Sequence, residues 1–140
     1  MNATENYELF RYLNSRYCLF DEDIKFVQNV ADWCREHGVE EPDPDKPLRL
    51  VPKDESGCTV VILEQIPEKA VDDRIKALSV RSALINVAAD RARMLDSDRK
   101  KLAYLFLSEY AMTLPEVASD ELLADNWAFE EMEEMGFFKE

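Results

Sequence analysis

Residues 67–95 read PEKAVDDRIKALSVRSALINVAADRARML, and the fold turns on how this stretch is read. Proline stands at Pro67 and next at Pro115, with no glycine between them, so the interval holds neither of the residues that most strongly break a helix. Leu78, Val80, Ala83, Leu84, Ile85, Val87, Ala88 and Ala89 crowd its middle. At 100° per residue they cover most of the circumference, and a helix apolar on nearly every side belongs inside a bundle. The expectation is a mostly α (α+β) fold: a single domain of about five helices around a central helix near 67–95, with one small β-hairpin near 48–66.

Composition agrees with that class. A chain of 140 residues is long enough to bury a core without covalent staples, so one domain over 1–140 is the expectation. With 46% hydrophobic residues the chain is not composed like a disordered one, while 34% charged residues and three glycines favour helices over a turn-rich β fold. No apolar run reaches the ~20 residues of a membrane span, and Met1-Asn2-Ala3-Thr4-Glu5 lacks the basic and apolar segments of a secretion signal. Cys18, Cys34 and Cys58 are odd in number and widely spaced, unlike a secreted disulfide framework. These observations point to a soluble cytoplasmic protein with reduced thiols and no membrane association.

Charge is segregated along the chain. Residues 1–66 carry 7 basic and 14 acidic side chains, residues 67–101 carry 9 and 6, and residues 102–140 carry 1 and 10. The net charge of −13 opposes direct binding to nucleic acid or anionic lipid. The one net-positive segment is the central helix with the start of the next.

Outward from that segment, Thr4 to Tyr17 has the spacing of a helix, with Tyr7, Phe10, Leu13 and Tyr17 along one face. Asp21 or Asp23 can cap a second helix through Ile24, Val27, Val30, Ala31 and Cys34 to His37, with Gly38 placed to close it. Residues 1–38 are therefore expected to form a helical hairpin. Residues 39–47, rich in proline and acid, read as an extended connector. Leu48–Pro52 and Cys58–Ile66 flank a turn signal at Asp54-Glu55-Ser56-Gly57 and predict a β-hairpin over 48–66. Its second strand, Thr59–Leu63, is apolar without alternation, so both faces need cover and the ribbon needs helices or a further strand. Residues 67–138 supply the helical core. After the central helix, Asp96-Ser97-Asp98 caps a helix from about Ser97 to Met112 that carries Leu102, Leu105, Phe106 and Tyr110. Thr113-Leu114-Pro115-Glu116 fits a capping box, so the last helix starts there or restarts at Ser119 or Asp120, ending at Met135 before Gly136.

Ser79, Ser82, Asn86, Asp90 and Arg93 form one stripe of the central helix, its natural solvent face. Arg81 lies nearly opposite the stripe, and Arg74 shares its side two turns earlier. An arginine aimed at a core requires a partner. Either it pairs with a carboxylate of the acidic arms, or the helix is rotated and it snorkels, or Arg74 and Arg81 line a site for an anion or acidic partner. Arg99-Lys100-Lys101 sits at a helix N-terminus, where the dipole disfavours cations, and Glu130, Glu131, Glu133 and Glu134 crowd the opposite kind of end. Each is a solvated face or a docking patch; Trp127, Phe137 and Phe138 beside the glutamates suit a protein interface.

Cys34-Arg35-Glu36-His37 has C-x-x-H spacing, and Cys18 and Cys58 are the remaining thiols that could complete a zinc site with Cys34 and His37. A core cysteine followed by a helix-terminal histidine explains the same spacing without metal, so no cofactor or metal is expected. One histidine cannot build a paired Glu-x-x-His di-iron site, and no glycine-rich phosphate loop is present. The leading functional expectation is a non-enzymatic protein-binding or regulatory protein: a small acidic adaptor, inhibitor, immunity or chaperone-like factor. Its candidate contact residues are Arg74, Arg81, Arg99, Lys100, Lys101, Trp127, Glu130, Glu131, Glu133, Glu134, Phe137 and Phe138. A homodimer would cover the apolar strand Thr59–Leu63 and the aromatic C-terminus. The alternatives are an acidic mimic of nucleic acid that blocks a DNA- or RNA-binding enzyme, and a metal protein or enzyme around Cys34 and His37.

Overall fold

The computed structural model describes residues 3–17, 24–41, 46–52, 58–85 and 91–139. Among them are six helices and a three-stranded sheet, so the fold is mostly α with a small β component. The chain divides into two compact units, Met1–Ala70 and Val71–Glu140.

The first unit is built on the sheet. Helix α1 (Ala3–Tyr17) precedes strand β1 (Ile24–Val27), helix α2 (Val30–Glu36), and strands β2 (Leu48–Pro52) and β3 (Cys58–Leu63). Strand β3 is central: β2 pairs with it antiparallel from Leu48↔Ile62 to Pro52↔Cys58, the pairing expected of the hairpin, whose turn signal at Asp54–Gly57 lies outside the described residues. On its other edge β1 pairs parallel, from Ile24↔Val60 to Val27↔Leu63. The unalternating run Val60-Val61-Ile62 is fully buried, as its sequence requires. On one face Val61 packs with Val30 and Cys34 of α2, and Val27, Trp33, Val39, Val51 and Leu63 close around them. The other face is buried at Ile24, Leu48, Leu50, Val60 and Ile62. Full burial of each Val or Ile stabilises the unit by roughly 1.5–3 kcal/mol.

The helical hairpin expected over 1–38 is not formed, because Ile24–Val27 is a strand. Val27, Val30, Ala31 and Cys34 match helical spacing, but β3 offers an edge whose backbone groups must be paired. The helix starts later, where the side chain of Asn29 accepts the Asp32 N–H at 2.9 Å. It ends as its sequence signals. Gly38 has φ +68°, and Val39 N–H donates to the Cys34 carbonyl while Gly38 N–H donates to that of Arg35, the Schellman pattern.

The second unit holds α3 (Glu68–Leu84), whose first turn carries the boundary, then α4 (Arg91–Met94), α5 (Asp98–Met112) and α6 (Glu121–Glu134). Of the expected helix over 67–95, residues 86–90 lie outside the described residues. The helix surrounded by protein is α5: Leu102 through Glu109 are all buried. In α3 only Leu78 and Ser82 are buried among the described residues, whereas Val80, Ala83 and Leu84 are exposed. The stripe read as solvent-facing therefore enters the protein at Ser82, while Ser79 and Arg93 are exposed and Asn86 and Asp90 lie outside the described residues. The difference arises because alanine and isolated branched residues tolerate water, and apolar content around a helix does not say which side has neighbours.

Helix α5 begins at the Ser97 cap, whose hydroxyl accepts the Lys100 N–H at 3.3 Å. It packs antiparallel to α6, with Ala111 beside Ala124, Tyr110 against Trp127 and Tyr104 against Phe129. Thr113–Glu116 starts no helix. Val117 and Ala118 N–H both donate to the Leu114 carbonyl, Ala118 and Ser119 adopt left-handed φ of 51° and 63°, and the reversal ends at Asp120. The Asp120 side chain accepts from Leu122 and Leu123 N–H and starts α6 there, the later of the sequence-marked starts.

Candidate functional site

The densest polar arrangement among the described residues joins α3, α5 and α6. Arg74 and Arg81, two turns apart, share one face of α3. Tyr104 and Ser108 are one turn apart on α5 with Glu109 adjoining, and Glu121 and Asp125 are one turn apart on α6. Arg81 Nε donates to Asp125 Oδ2 at 2.7 Å and its Nη2 to Asp125 Oδ1 at 3.0 Å, a bidentate fork. The same Nη2 reaches Tyr104 Oη at 3.1 Å, and Nη1 reaches Glu121 Oε2 at 3.3 Å. Tyr104 Oη in turn donates to Asp125 Oδ1 at 2.5 Å. Arg74 donates from Nη1 to Glu109 Oε1 at 2.7 Å and from Nη2 to Ser108 Oγ at 2.9 Å.

Tyr104, Ser108, Glu109 and Asp125 are buried, and both arginines are mostly covered. The hydrogen bond to Asp125 holds Arg81 above the ordinary arginine range against the opposing effect of burial. Burial works against Arg74 as well, yet the charge and hydrogen bond of Glu109 outweigh it and the net shift is upward. Burial, then the negative charge of Asp125, push the Tyr104 phenol well above its usual value. The cluster thus holds two guanidinium ions and a protonated phenol against carboxylates. Chemically it is a set of matched donors and acceptors.

Of the sequence-level alternatives for Arg81, the geometry is that of pairing with a carboxylate of the C-terminal arm. The partner residues Tyr104, Ser108, Glu109 and Asp125 do not stand out in the sequence as candidates. A signal is present all the same: Glu109 interrupts LAYLFLSEYAM and Asp125 interrupts ELLADNWAF, and an acid within an apolar run needs a buried partner.

A second grouping gathers other candidates where the start of α5 meets the end of α6. Arg99 lies over Phe137 at 5.5 Å and Lys100 over Phe138 at 6.0 Å, while Lys100 also binds Asp96 at 2.7 Å. Phe138 stacks on Phe129, whose ring lies 5.4 Å from the Arg91 guanidinium. Gly136 at φ +83° turns the chain back, with Phe137 N–H donating to the Met132 carbonyl. The hydrogen bond from Lys100 lowers the Asp96 carboxyl below its ordinary value. Lys101 and Glu131 are half-buried, Glu130, Glu133 and Glu134 are exposed, and Trp127 is half-buried against Tyr110 rather than in either grouping.

Cys34 and His37 have different surroundings. Cys34 is a free, buried thiol raised by burial. His37 is exposed, stacked on Trp33 at 3.9 Å with its Nδ1 2.8 Å from the Trp33 carbonyl oxygen. Cys18 and the side chain of Cys58 lie outside the described residues. Among the described residues no three His, Cys, Asp or Glu side chains gather to hold a metal ion, and no helix is long and apolar enough to cross a membrane.

Comparison with family models, curated proteins and solved structures returns no match.

Proposed function

We propose that the protein is a non-enzymatic protein-binding factor whose contact surface is the outward side of α3. One observation carries this reading: Val80 and Leu84, one turn apart, are 62% and 79% exposed. Large apolar side chains grouped on an exposed helix are a common mark of a protein contact. The arginines expected to meet a partner are occupied within the chain, so Arg74 and Arg81 serve to mount the helix. Arg99, Lys100, Lys101, Trp127, Phe137, Phe138 and the four C-terminal glutamates would enter only as the surroundings of the contact. At a net charge of −13, long-range like-charge repulsion disfavours a second copy and favours a basic partner. Strand β1 already pairs the free edge of β3, which removes one argument for a homodimer.

The test compares the wild-type chain with a Val80→Asp/Leu84→Asp variant, both positions being exposed, in capture from source extract at low and high salt. A basic protein retained by the wild type, lost with the variant and weakened by salt supports the reading. Identical retention by both chains refutes it.

A further inference from the structure

The geometry points to α3 as a releasable internal ligand of the α5–α6 pair: a helix held chiefly by two arginines in acidic seats, able to leave while α5 and α6 stay folded together. Four observations converge on this. First, Leu78 is the one buried apolar side chain of α3 among the described residues, whereas α5 buries Leu102, Ala103, Tyr104, Leu105, Phe106, Leu107 and Ala111. Second, Arg74 and Arg81 reach from α3 to side chains on both other helices, ending on Ser108, Glu109, Tyr104, Glu121 and Asp125. Third, α5 and α6 hold one another independently of α3 through Tyr104–Phe129, Tyr110–Trp127 and the cluster of Ala111, Val117 and Ala124. Fourth, the side of α3 turned away from the pair carries Val80 and Leu84, which are exposed rather than packed.

An element with few buried apolar contacts and a polar attachment sits at the low end of the local stability scale. Its departure would uncover an acidic face, Ser108, Glu109, Tyr104 and Asp125, that fits a helix presenting two arginines seven residues apart. That is the chemistry of α3 itself, and the chemistry a competing partner helix would need. The inference concerns the inward side of α3 and does not depend on what binds the outward side.

Native-state hydrogen exchange of the full wild-type chain, followed amide by amide across low denaturant, tests it. The expected result is that amides of residues 71–84 exchange through an opening with a shallower denaturant dependence than those of α5 and α6, and at least about tenfold faster. If α3 and α5 amides follow one common denaturant dependence, the inference is overturned. A Glu109→Gln variant gives a second reading on a milder change: acceleration confined to α3 supports release, and equal acceleration in all three helices overturns it.

Discussion

Replacing Arg81 by methionine removes a cation while keeping an unbranched apolar stem, and the structure sets the size of the effect. Asp125 is left buried, retaining the Tyr104 hydroxyl but losing both bonds of the guanidinium fork. Removing one partner of a buried ion pair typically destabilises by about 3–5 kcal/mol. Two features place Arg81→Met at the lower end. The arginine side chain keeps 16% of its exposure, and its second carboxylate, Glu121, is 67% exposed and contributes at most about 1 kcal/mol. A loss of about 3 kcal/mol is expected, roughly a 2 M fall in urea midpoint at a slope of about 1.5 kcal/mol/M. Of the two tryptophans, Trp33 lies in the first unit and Trp127 in the second. A Trp33→Phe background therefore makes fluorescence report on the unit that holds the pair. The triple variant Arg81→Met/Tyr104→Phe/Asp125→Leu removes Arg81, Tyr104 and Asp125 as polar groups together and should return to within about 1 kcal/mol of the parent. A single variant that loses less than about 1 kcal/mol, or a triple variant no more stable than the single one, would refute the assignment of a buried, mutually dependent cluster.

Two further outcomes follow from named residues. The Tyr104 phenol is held above its ordinary value, so the stability it contributes is complete below about pH 10 and is lost as pH rises toward its folded value; burial raises Tyr110 as well, so alkaline absorbance titration should show a late tyrosine component in the second unit that shrinks by one phenol in a Tyr104→Phe chain, and an undiminished late component would contradict it. Gly38 at φ +68° has open space where a Cβ would stand, and at Gly136, φ +83°, a Cβ would meet only Lys139 Cδ at 3.8 Å, so alanine at either costs backbone strain alone, about 1–2 kcal/mol; Gly38→Ala should lower the Trp33 transition and Gly136→Ala the Trp127 transition, and the reverse pattern would refute the two-unit division.

Those glycines also mark what is legible in the sequence. Local signals with one physical solution correspond to the structure: Gly38 after His37, Gly136 after Met135, the Ser97 cap, and the antiparallel pairing of Leu48–Pro52 with the strand from Cys58. Signals that depend on a remote neighbour do not. Ile24–Val27 fits a helix until the edge of β3 is known, and Thr113–Glu116 fits a capping box until Asp120 supplies a stronger cap after two left-handed residues. The exposure of Val80 and Leu84 depends on which side of α3 is occupied, which no periodicity within α3 contains. Arg81 is legible as a residue in need of a partner, but the identity of that partner requires α6 to be placed against α3.

The spacing of the two arginines bears on why a cluster that could be replaced by apolar packing is present at all. Seven residues of helix advance about 10.5 Å, so Arg74 and Arg81 reach Glu109 and Asp125 together only in one register of α3. With Leu78 as its one buried apolar side chain among the described residues, α3 has little shape-based information to resist sliding by a turn. A slide by one turn, about 5.4 Å, would withdraw both guanidinium groups from their carboxylates and leave Asp125 and Glu109 buried beside apolar surface. The charges thus set where α3 sits as well as holding it there. Register fixed by polar groups, with modest apolar burial behind it, is the combination that lets a helix leave and return to the same place.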